Sequence, residues 1–218
     1  YKPGIYPISL SQTLINIYKM KNIFILMLLA LGAQNINAQQ RGVAFSVSYP
    51  VSFPMGDLSD YINKTSFRGI NMEITKRQMP NWDFGLESGW NVFYAREDSK
   101  EYKEQTVTIT GVQYRYTNAV PIIAEAKYYF ETSSGKSKPY VGGGLGTTYI
   151  SRATDFGLYR ITNNTWQFCL RPEIGFKFED KYGRGIFLGA RYYANFANDE
   201  LDAQSYLSIN LGFSFGHY

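Results

Sequence analysis

The sequence predicts an all-β fold of eight antiparallel strands. In eight separate segments, apolar residues alternate with small or polar ones, which is the period of a strand with two different faces. Tyrosine (19), phenylalanine (15) and glycine (20) are abundant among the 218 residues, whereas cysteine and histidine occur once each. A composition rich in aromatic residues and glycine favours strands over helices.

The first part of the chain is predicted to precede the folded domain. Residues 20–38 read MKNIFILMLLALGAQNINA, and a Met-Lys start, a short apolar run and a polar stretch ending in alanine are typical of a secretory signal peptide. The apolar run is shorter than the about 20 residues that span a bilayer as a helix. We expect residues 1–19 to be an upstream artefact, translation to start at Met20, and cleavage after Ala38 to release the barrel domain, residues 39–218.

The net charge of +4 comes mostly from this leader. The leader contains Lys2, Lys19 and Lys21 and no acidic residue. The rest of the chain therefore has 19 of the 22 basic residues and all 18 acidic ones. A nearly neutral domain gives no case for a clustered basic face, so no nucleic-acid partner is predicted. The exported domain retains only Cys169 and can form no intrachain disulfide.

The eight predicted strands follow one another in regular order. In the first, Val43, Phe45 and Val47 alternate with Ala44 and Ser46, and the other seven alternate in the same way. The apolar faces run over Val43 to Phe53, Ile70 to Ile74, Trp82 to Tyr94, Val120 to Phe130, Val141 to Tyr149, Trp166 to Phe178, Ile186 to Phe196 and Leu207 to Phe215.

The glycine-rich segment YVGGGLGTTYI at residues 140–150 is predicted to be the fifth strand. A dinucleotide-binding fingerprint would need glycine at position 147, which is threonine. Gly142, Gly144 and Gly146 instead share one strand face, where glycine leaves room for large side chains opposite and lets a sheet curve tightly.

The polar faces carry eight charged residues at mid-strand positions. They are Glu73, Glu87, Glu125, Lys127, Arg171, Glu173, Lys177 and Arg191. Equal numbers of acids and bases suit a packed interior, since unpaired buried charge is costly. We therefore predict a network of paired charges in the lumen of a barrel, with Cys169 as a buried thiol on the same face.

The apolar faces carry aromatic residues near their ends, as a lipid-facing wall does. The predicted lipid-interface aromatics are Trp82, Phe84, Trp90, Tyr94, Tyr128, Phe130, Tyr149, Trp166, Phe178, Phe196, Phe213 and Phe215. Two aromatic girdles around an aliphatic band are typical of outer-membrane barrels. The predicted fold is an eight-stranded antiparallel up-and-down transmembrane β-barrel.

Short and long connections alternate along the chain. The long ones are at about 55–66, 96–117, 152–163 and 198–204. Short turns face the periplasm in such barrels, and long loops face outward. Residues 96–117 also alternate and are expected to form a β-ribbon above the membrane. We expect bulges at Pro50, Pro121 and Pro172, because proline cannot donate to a ladder.

Four segments carry a family resemblance. They are PYVGGGLG (139–146), AVPIIAEAKYYF (119–130), GIFLGARYY (185–193) and LSINLGFSF (207–215). Through them the chain resembles the outer-membrane β-barrel domain family, the small eight-stranded OmpA/OmpX-like barrels of Gram-negative bacteria, over nearly all of 41–218. The resemblance implies location in the cell outer membrane and contact with outer-membrane lipid and lipopolysaccharide. It also implies insertion by the barrel-assembly machinery, which recognises terminal aromatics such as Phe213 and Phe215.

The sequence favours a structural or surface-interaction role over transport. Eight strands enclose an interior that side chains can fill, and loops carry function on a rigid scaffold. The candidate contacts for an unknown surface ligand are Tyr102, Tyr114, Tyr116 and Tyr159. The alternatives are a narrow, porin-like passage for small solutes or apolar molecules and a soluble periplasmic lipocalin-like carrier.

No enzymatic activity is predicted. The only histidine, His217, lies next to the chain end without a recognisable acid–base constellation. No cluster has metal-ligand spacing, and no cofactor is expected.

Overall fold

The computed structural model describes residues 5–7, 42–104, 107–132, 137–156, 159–180 and 184–217. In these ranges the chain forms nine strands and one short helix. The strands are β1 (Ile5–Pro7), β2 (Val43–Pro54), β3 (Gly69–Met79), β4 (Trp82–Glu104), β5 (Val107–Tyr129), β6 (Ser137–Phe156), β7 (Tyr159–Glu179), β8 (Gly185–Asn195) and β9 (Tyr206–His217), and the helix is α1 (Asp57–Tyr61). None of the described helical residues forms a segment long and apolar enough to cross a membrane.

Strands β2 to β9 form a closed antiparallel ring. Each pairs with its neighbours in the chain, β9 pairs with β2, and β7 pairs with β8. Val43 at the start of β2 lies opposite His217 at the end of β9, so the first and the last strand of the ring begin and end on the same side of the barrel. The predicted up-and-down barrel of eight antiparallel strands is confirmed.

Strand β1 lies outside the ring, where Ile5–Pro7 pairs with Tyr159–Ile161 at the far end of β7. The predicted signal peptide, residues 20–38, lies outside the described residues. The assignments of residues 1–19 and 20–38 therefore stay predictions.

The barrel has a turn end and a loop end. At the turn end β3 and β4 are joined by Pro80 and Asn81 alone, and Asn81 has a φ of 68°, a left-handed conformation that asparagine tolerates in tight turns. At the loop end, residues 55–68 join β2 to β3 and residues 196–205 join β8 to β9. The predicted alternation of short and long connections matches these three connections.

Strands extend far into two of the segments that were expected to be long connections. Strands β4 and β5 run to Glu104 and from Val107, which matches the expected ribbon. The expected loop at 152–163 is wrong, because β6 and β7 pair as far as Phe156 opposite Tyr159. Strands β4 to β7 have 20 to 23 residues, whereas the other ring strands have 11 or 12. Their extra length, about 30 Å at 3.3 Å per residue, forms a four-stranded sheet beyond the barrel, here called the loop-end sheet.

The prolines cause no bulges, contrary to expectation. Pro50, Pro121 and Pro172 each keep a partner in register on one neighbouring strand. On the other side of Pro121 and Pro172 the pairing is interrupted and resumes in the same register. A proline lacks only one donor, so a local gap in one ladder accommodates it.

Apolar side chains cover the outside of the ring. An aliphatic band of exposed residues comprises Ile74, Leu86, Ile122, Val141, Leu145, Leu170, Ile174, Leu188 and Leu211. Water-soluble proteins rarely expose a contiguous apolar surface of this extent. Since the apolar faces point outward, the carrier alternative, which needs an apolar lumen and a wet exterior, is wrong.

Glycines on the inner face of β6 make room for the contents of the lumen. A Cβ on Gly144 would collide with the Ile123 side chain and lie 3.5 Å from Nη2 of Arg171. The neighbouring Gly143 faces outward, and a Cβ there would meet nothing within 4 Å.

These two adjacent glycines make a matched test of the packed lumen. We expect Gly144→Ala to lower the free energy of unfolding by about 1–3 kcal/mol, because overpacking forces neighbours to shift. Gly143→Ala should leave it unchanged or slightly raised, since glycine weakens a strand interior. Equilibrium unfolding in guanidinium of each refolded barrel in detergent measures the difference. Equal effects of the two substitutions would contradict a tightly packed lumen at this level.

Candidate functional site in the lumen and at the loop end

Arg171 on β7 is the centre of a buried charge network. Its side chain is fully buried and reaches three carboxylates: Nε lies 2.9 Å from Glu87 Oε2, and Nη1 and Nη2 donate to Glu173 and Glu125. Arg171 and Glu173 share one face of β7, and β4 and β5 bring the other two acids around the ring. A planar guanidinium with five donors suits such multiple pairing.

Arg191 and Lys127 complete the network. Arg191 binds Glu173 at 3.0 Å and also contacts Glu73 and Glu87. Lys127 donates to Glu73 and lies 3.5 Å from Glu125 and 3.6 Å from Glu173. Three cations thus meet four carboxylates, a formal excess of one negative charge.

Two tyrosine hydroxyls bind the carboxylates from the sides. Tyr140 donates to Glu173 Oε1 at 2.8 Å, and Tyr193 donates to Glu87. Neutral donors of this kind stabilise the excess negative charge without adding a cation.

Lys177 is also a buried lumen charge, but it lies at a different height from the carboxylates around Arg171. All eight predicted lumen residues are buried, but Lys177 lies nearer the turn end, 3.2 Å from Glu179 Oε2. Lys138 binds the other oxygen of Glu179 at 3.2 Å. Strand parity defines the face on which a side chain lies but not its height in the lumen. The height of Lys177 depends on the register of β7 against its neighbouring strands.

The carboxylates of Glu73, Glu87 and Glu125 offer oxygen atoms within 4.8 Å of one another. Three such oxygens could hold a metal ion, but here Lys127, Arg171 and Arg191 contact them. The donor set therefore fits an ion network of protein side chains better than a metal site.

An apolar layer lies between the charge network and the loop end. Phe93, Ile123 and Tyr206 face inward and are fully buried, and Tyr193 stacks on Tyr206 with 4.5 Å between ring centroids. Cys169, fully buried, belongs to this layer. Sequence analysis missed the layer, although Phe93 and Ile123 interrupt the polar faces of β4 and β5.

Helix α1 closes the apolar layer from above. Gly56, with a φ of 55°, turns the chain into the helix, and Leu58 and Ile62 place their side chains in the lumen. Ile62 N donates to Leu58 O at 2.7 Å. Residues four apart lie on one face of a helix, so both apolar side chains reach the same layer.

The β8–β9 connection closes the other part of the mouth. Asn198 donates to Thr165 Oγ1 at 2.6 Å and to Trp166 O at 3.0 Å. Gln167 Nε2 donates to the carbonyls of Leu201 and Asp202 at 3.1 and 2.8 Å. These bonds hold the connection against β7, and Leu201 is buried in the apolar layer.

The interior is filled along its described length. A void of about 10 Å³ remains beside Glu73, Lys127 and Lys177, roughly the space for one water molecule. The described side chains therefore leave no wide passage through the barrel.

A cleft of about 410 Å³ lies at the mouth, above the closed lumen. It is lined by Tyr61, Gln113, Arg115, Arg152, Thr154, Ile161, Asn163, Asn198, Asp199, Glu200, Leu201 and Asp202. One wall comes from α1 and the inner face of the loop-end sheet, and the other comes from the β8–β9 connection.

Tyr61 holds two arginines in the sheet wall of the cleft. The guanidinium of Arg152 lies 3.5 Å from the centroid of the Tyr61 ring, and that of Arg115 lies 5.0 Å away. Arg115 donates to Tyr61 O and to Gln113 Oε1, both at 2.9 Å. Tyr61 donates to Ala153 O at 3.0 Å. The ring is thereby fixed between the two cations.

The opposite face of the loop-end sheet carries a conventional ion pair. Arg160 donates to both oxygens of Asp155 at 2.6 and 2.8 Å. These hydrogen bonds raise the pKa of the Arg160 guanidinium above its ordinary value.

The tyrosines predicted as loop contacts lie on strands. Tyr114 and Tyr116 are on β5 and pack against Tyr94 on the outer face, with Tyr94 and Tyr116 ring centroids 5.1 Å apart. Tyr159 begins β7 and is exposed. Tyr102 lies on β4, outside the residues whose side chains are described. Tyr102, Tyr114 and Tyr116 belong to the expected β-ribbon, whereas Tyr159 lies on a strand where a loop was expected, since β-strand pairing of β6 and β7 continues beyond the barrel.

The predicted lipid-interface aromatics lie on the outward face of their strands, and several of them contact one another. At the turn end Trp82 packs against Phe84 and Tyr128. Toward the loop end Tyr149 packs against Trp166, with 5.2 Å between ring centroids.

A closed barrel with this exterior and a polar, filled interior is an integral membrane β-barrel. Its eight-stranded fold is that of the small outer-membrane barrels, which confirms the predicted kinship in fold and agrees with the predicted location in the cell outer membrane. The turn end is accordingly periplasmic and the loop end extracellular.

Comparison with solved structures gave several matches, of which Neisserial surface protein A (NspA), with a TM-score above 0.5, supports this fold. NspA matches with a TM-score of 0.51 and 15% identity over 79% of this chain and 96% of its own. Ail, the attachment invasion locus protein of Yersinia pestis, gives a TM-score of 0.46 at 14% identity, over 81% of this chain and all of its own. The outer membrane enzyme PagL gives a TM-score of 0.38 at 14% identity, over 78% of this chain and 98% of its own. Comparisons with protein-family models and with curated proteins gave no match.

Removal of Arg171 tests whether the charge network stabilises the barrel. Arg171→Met leaves Glu87, Glu125 and Glu173 with one cation fewer, and we expect a loss of about 3–5 kcal/mol in the free energy of unfolding. Arg184→Gln, which breaks an exposed pair with Asp180, should cost less than about 1 kcal/mol. Guanidinium unfolding followed by circular dichroism measures both.

A double variant separates charge balance from lost packing. Arg171→Met with Glu125→Gln restores the original formal charge and should recover part of the loss. No recovery, together with a small effect of Arg171→Met alone, would contradict the structural role of the network.

Proposed function

We propose that the protein is a small, closed outer-membrane barrel that acts at the cell surface and not as a passage or an enzyme. The observation that carries this proposal is the filled lumen beneath an extracellular mouth. Charges fill the periplasmic half, the apolar layer seals the other half, and a cleft of ligand size lies at the mouth.

A role in surface interaction fits the strands that continue beyond the membrane. The loop-end sheet is a rigid platform above the lipid, and binding residues are commonly displayed in this way on a stable scaffold. Outer-membrane lipid and lipopolysaccharide are the proposed surroundings of the barrel wall, and the barrel-assembly machinery is its proposed route of insertion.

The proposal of no enzymatic activity rests on the residues of the cleft. Arginine, amide, hydroxyl and carboxylate side chains line it, and the described lining residues include no serine, cysteine or histidine, the residues of the common nucleophile–imidazole arrangements. Such a lining suits binding by charge and hydrogen bonds.

Conductance of the purified protein in planar lipid bilayers discriminates closure from passage. We expect no current steps at any voltage, because the charged side chains fill the lumen and bind one another. Insertion is verified on the same sample by the shift in electrophoretic mobility on boiling, which a folded outer-membrane barrel shows. Discrete current steps from a folded, inserted sample would overturn the closed-barrel proposal in favour of the narrow channel.

A further inference from the structure

We infer that the extracellular cleft binds a small ligand that carries both an anionic and a cationic group, of the kind represented by a phosphorylated amino sugar. The inference deepens the proposed surface function and rests on it, since it names the chemistry that the surface would recognise.

The sheet wall of the cleft supplies the anion-binding part. The Arg152 guanidinium is stacked on Tyr61, and no described side chain offers it a carboxylate or another acceptor. Arg115 binds only neutral oxygens, those of Tyr61 and Gln113. Two fixed guanidinium groups without a counter-anion suit a phosphate or carboxylate, which they bind with charge-assisted hydrogen bonds.

The opposite wall supplies the cation-binding part. Asp199, Glu200 and Asp202 are exposed, and none of them has an ion-pair partner among the described residues. The acids therefore do not neutralise the arginines across the cleft. Both sets of charges remain available to one ligand that spans the cleft.

The size and polar lining of the cleft define the body of the ligand. A volume of about 410 Å³ lies in the range of small-molecule sites. Gln113 and Asn163 add two amide side chains to the sheet wall, which suit a hydroxyl-rich body. Polyanions fit poorly, because the three carboxylates would repel every anionic group beyond the first.

Three sugars that differ by one group each test the inference. Isothermal titration of the full barrel in detergent would use glucosamine 6-phosphate, glucose 6-phosphate and glucosamine. We expect glucosamine 6-phosphate to bind about tenfold more tightly than either sugar with one charged group, since each lost charged contact costs roughly one decade. Equal binding of glucose 6-phosphate and glucosamine 6-phosphate would overturn the inference.

Variants test which wall of the cleft binds the phosphate and which binds the amine. Arg152→Gln should abolish the advantage that the phosphate gives, and the triple change Asp199→Asn, Glu200→Gln and Asp202→Asn should abolish the advantage of the amine. Arg160→Gln is the matched control, because Arg160 lies on the outer face of the same sheet and pairs with Asp155. An equal loss of affinity in Arg160→Gln and Arg152→Gln would mean that only the net charge of the protein matters, and it would overturn the assignment.

The source of the ligand is tested in lipid. Titration in nanodiscs with and without lipopolysaccharide shows whether a membrane-borne sugar already competes for the cleft. Competition identifies the membrane as the source, and its absence identifies a free saccharide. Every sample is checked for the boiling-dependent mobility shift. A folded, non-conducting barrel that binds none of the three sugars would overturn this inference alone, whereas conductance would overturn the proposed function.

Discussion

Arg171 and Arg191 hold the barrel together because the lumen has no room for water to solvate charge. A charge taken from water into a narrow interior is stabilised only if protein groups replace its hydration. Each of these arginines contacts three carboxylates. The inner face of β6 is packed equally closely, since a Cβ at Gly144 would collide with the Ile123 side chain.

The exterior obeys the complementary constraint. Lipid offers no hydrogen-bond partners, so every backbone group of the ring must pair within it, and only closure satisfies both edges. Once the apolar faces are turned toward lipid, the polar faces must meet inside, where they have to be matched in charge as well as in shape. The apolar layer beneath α1 and the β8–β9 connection then ends the polar interior. Its aromatic and aliphatic side chains keep water that enters the mouth out of the lumen.

The sequence could predict the ring, its outward faces and the set of lumen charges, because all three depend on a period of two along each strand. It could not separate Lys177 from the central network, since that depends on the stagger of β7 against its neighbours. The burial of Leu58 and Ile62 could not be predicted for a different reason: apolar residues in a connection can also be exposed, as Met55 and Phe67 are in the same connection. The cleft was beyond prediction, because Tyr61, Arg152 and Asp199 come from three distant segments.

The contrast between the two groups of arginines is the physical basis for proposing a function at the mouth. Arg171 and Arg191 have their charge fully matched by carboxylates, so any ligand that bound them would have to displace partners on which folding depends. Arg115 and Arg152 are fixed by an aromatic ring and neutral oxygens, an arrangement that holds their position while leaving their charge unmatched among the described residues. Stability accounts for the first pair. On the proposed function the second pair is preorganised for an anion that the protein itself does not supply, and the acids on the facing wall would limit which anions can enter.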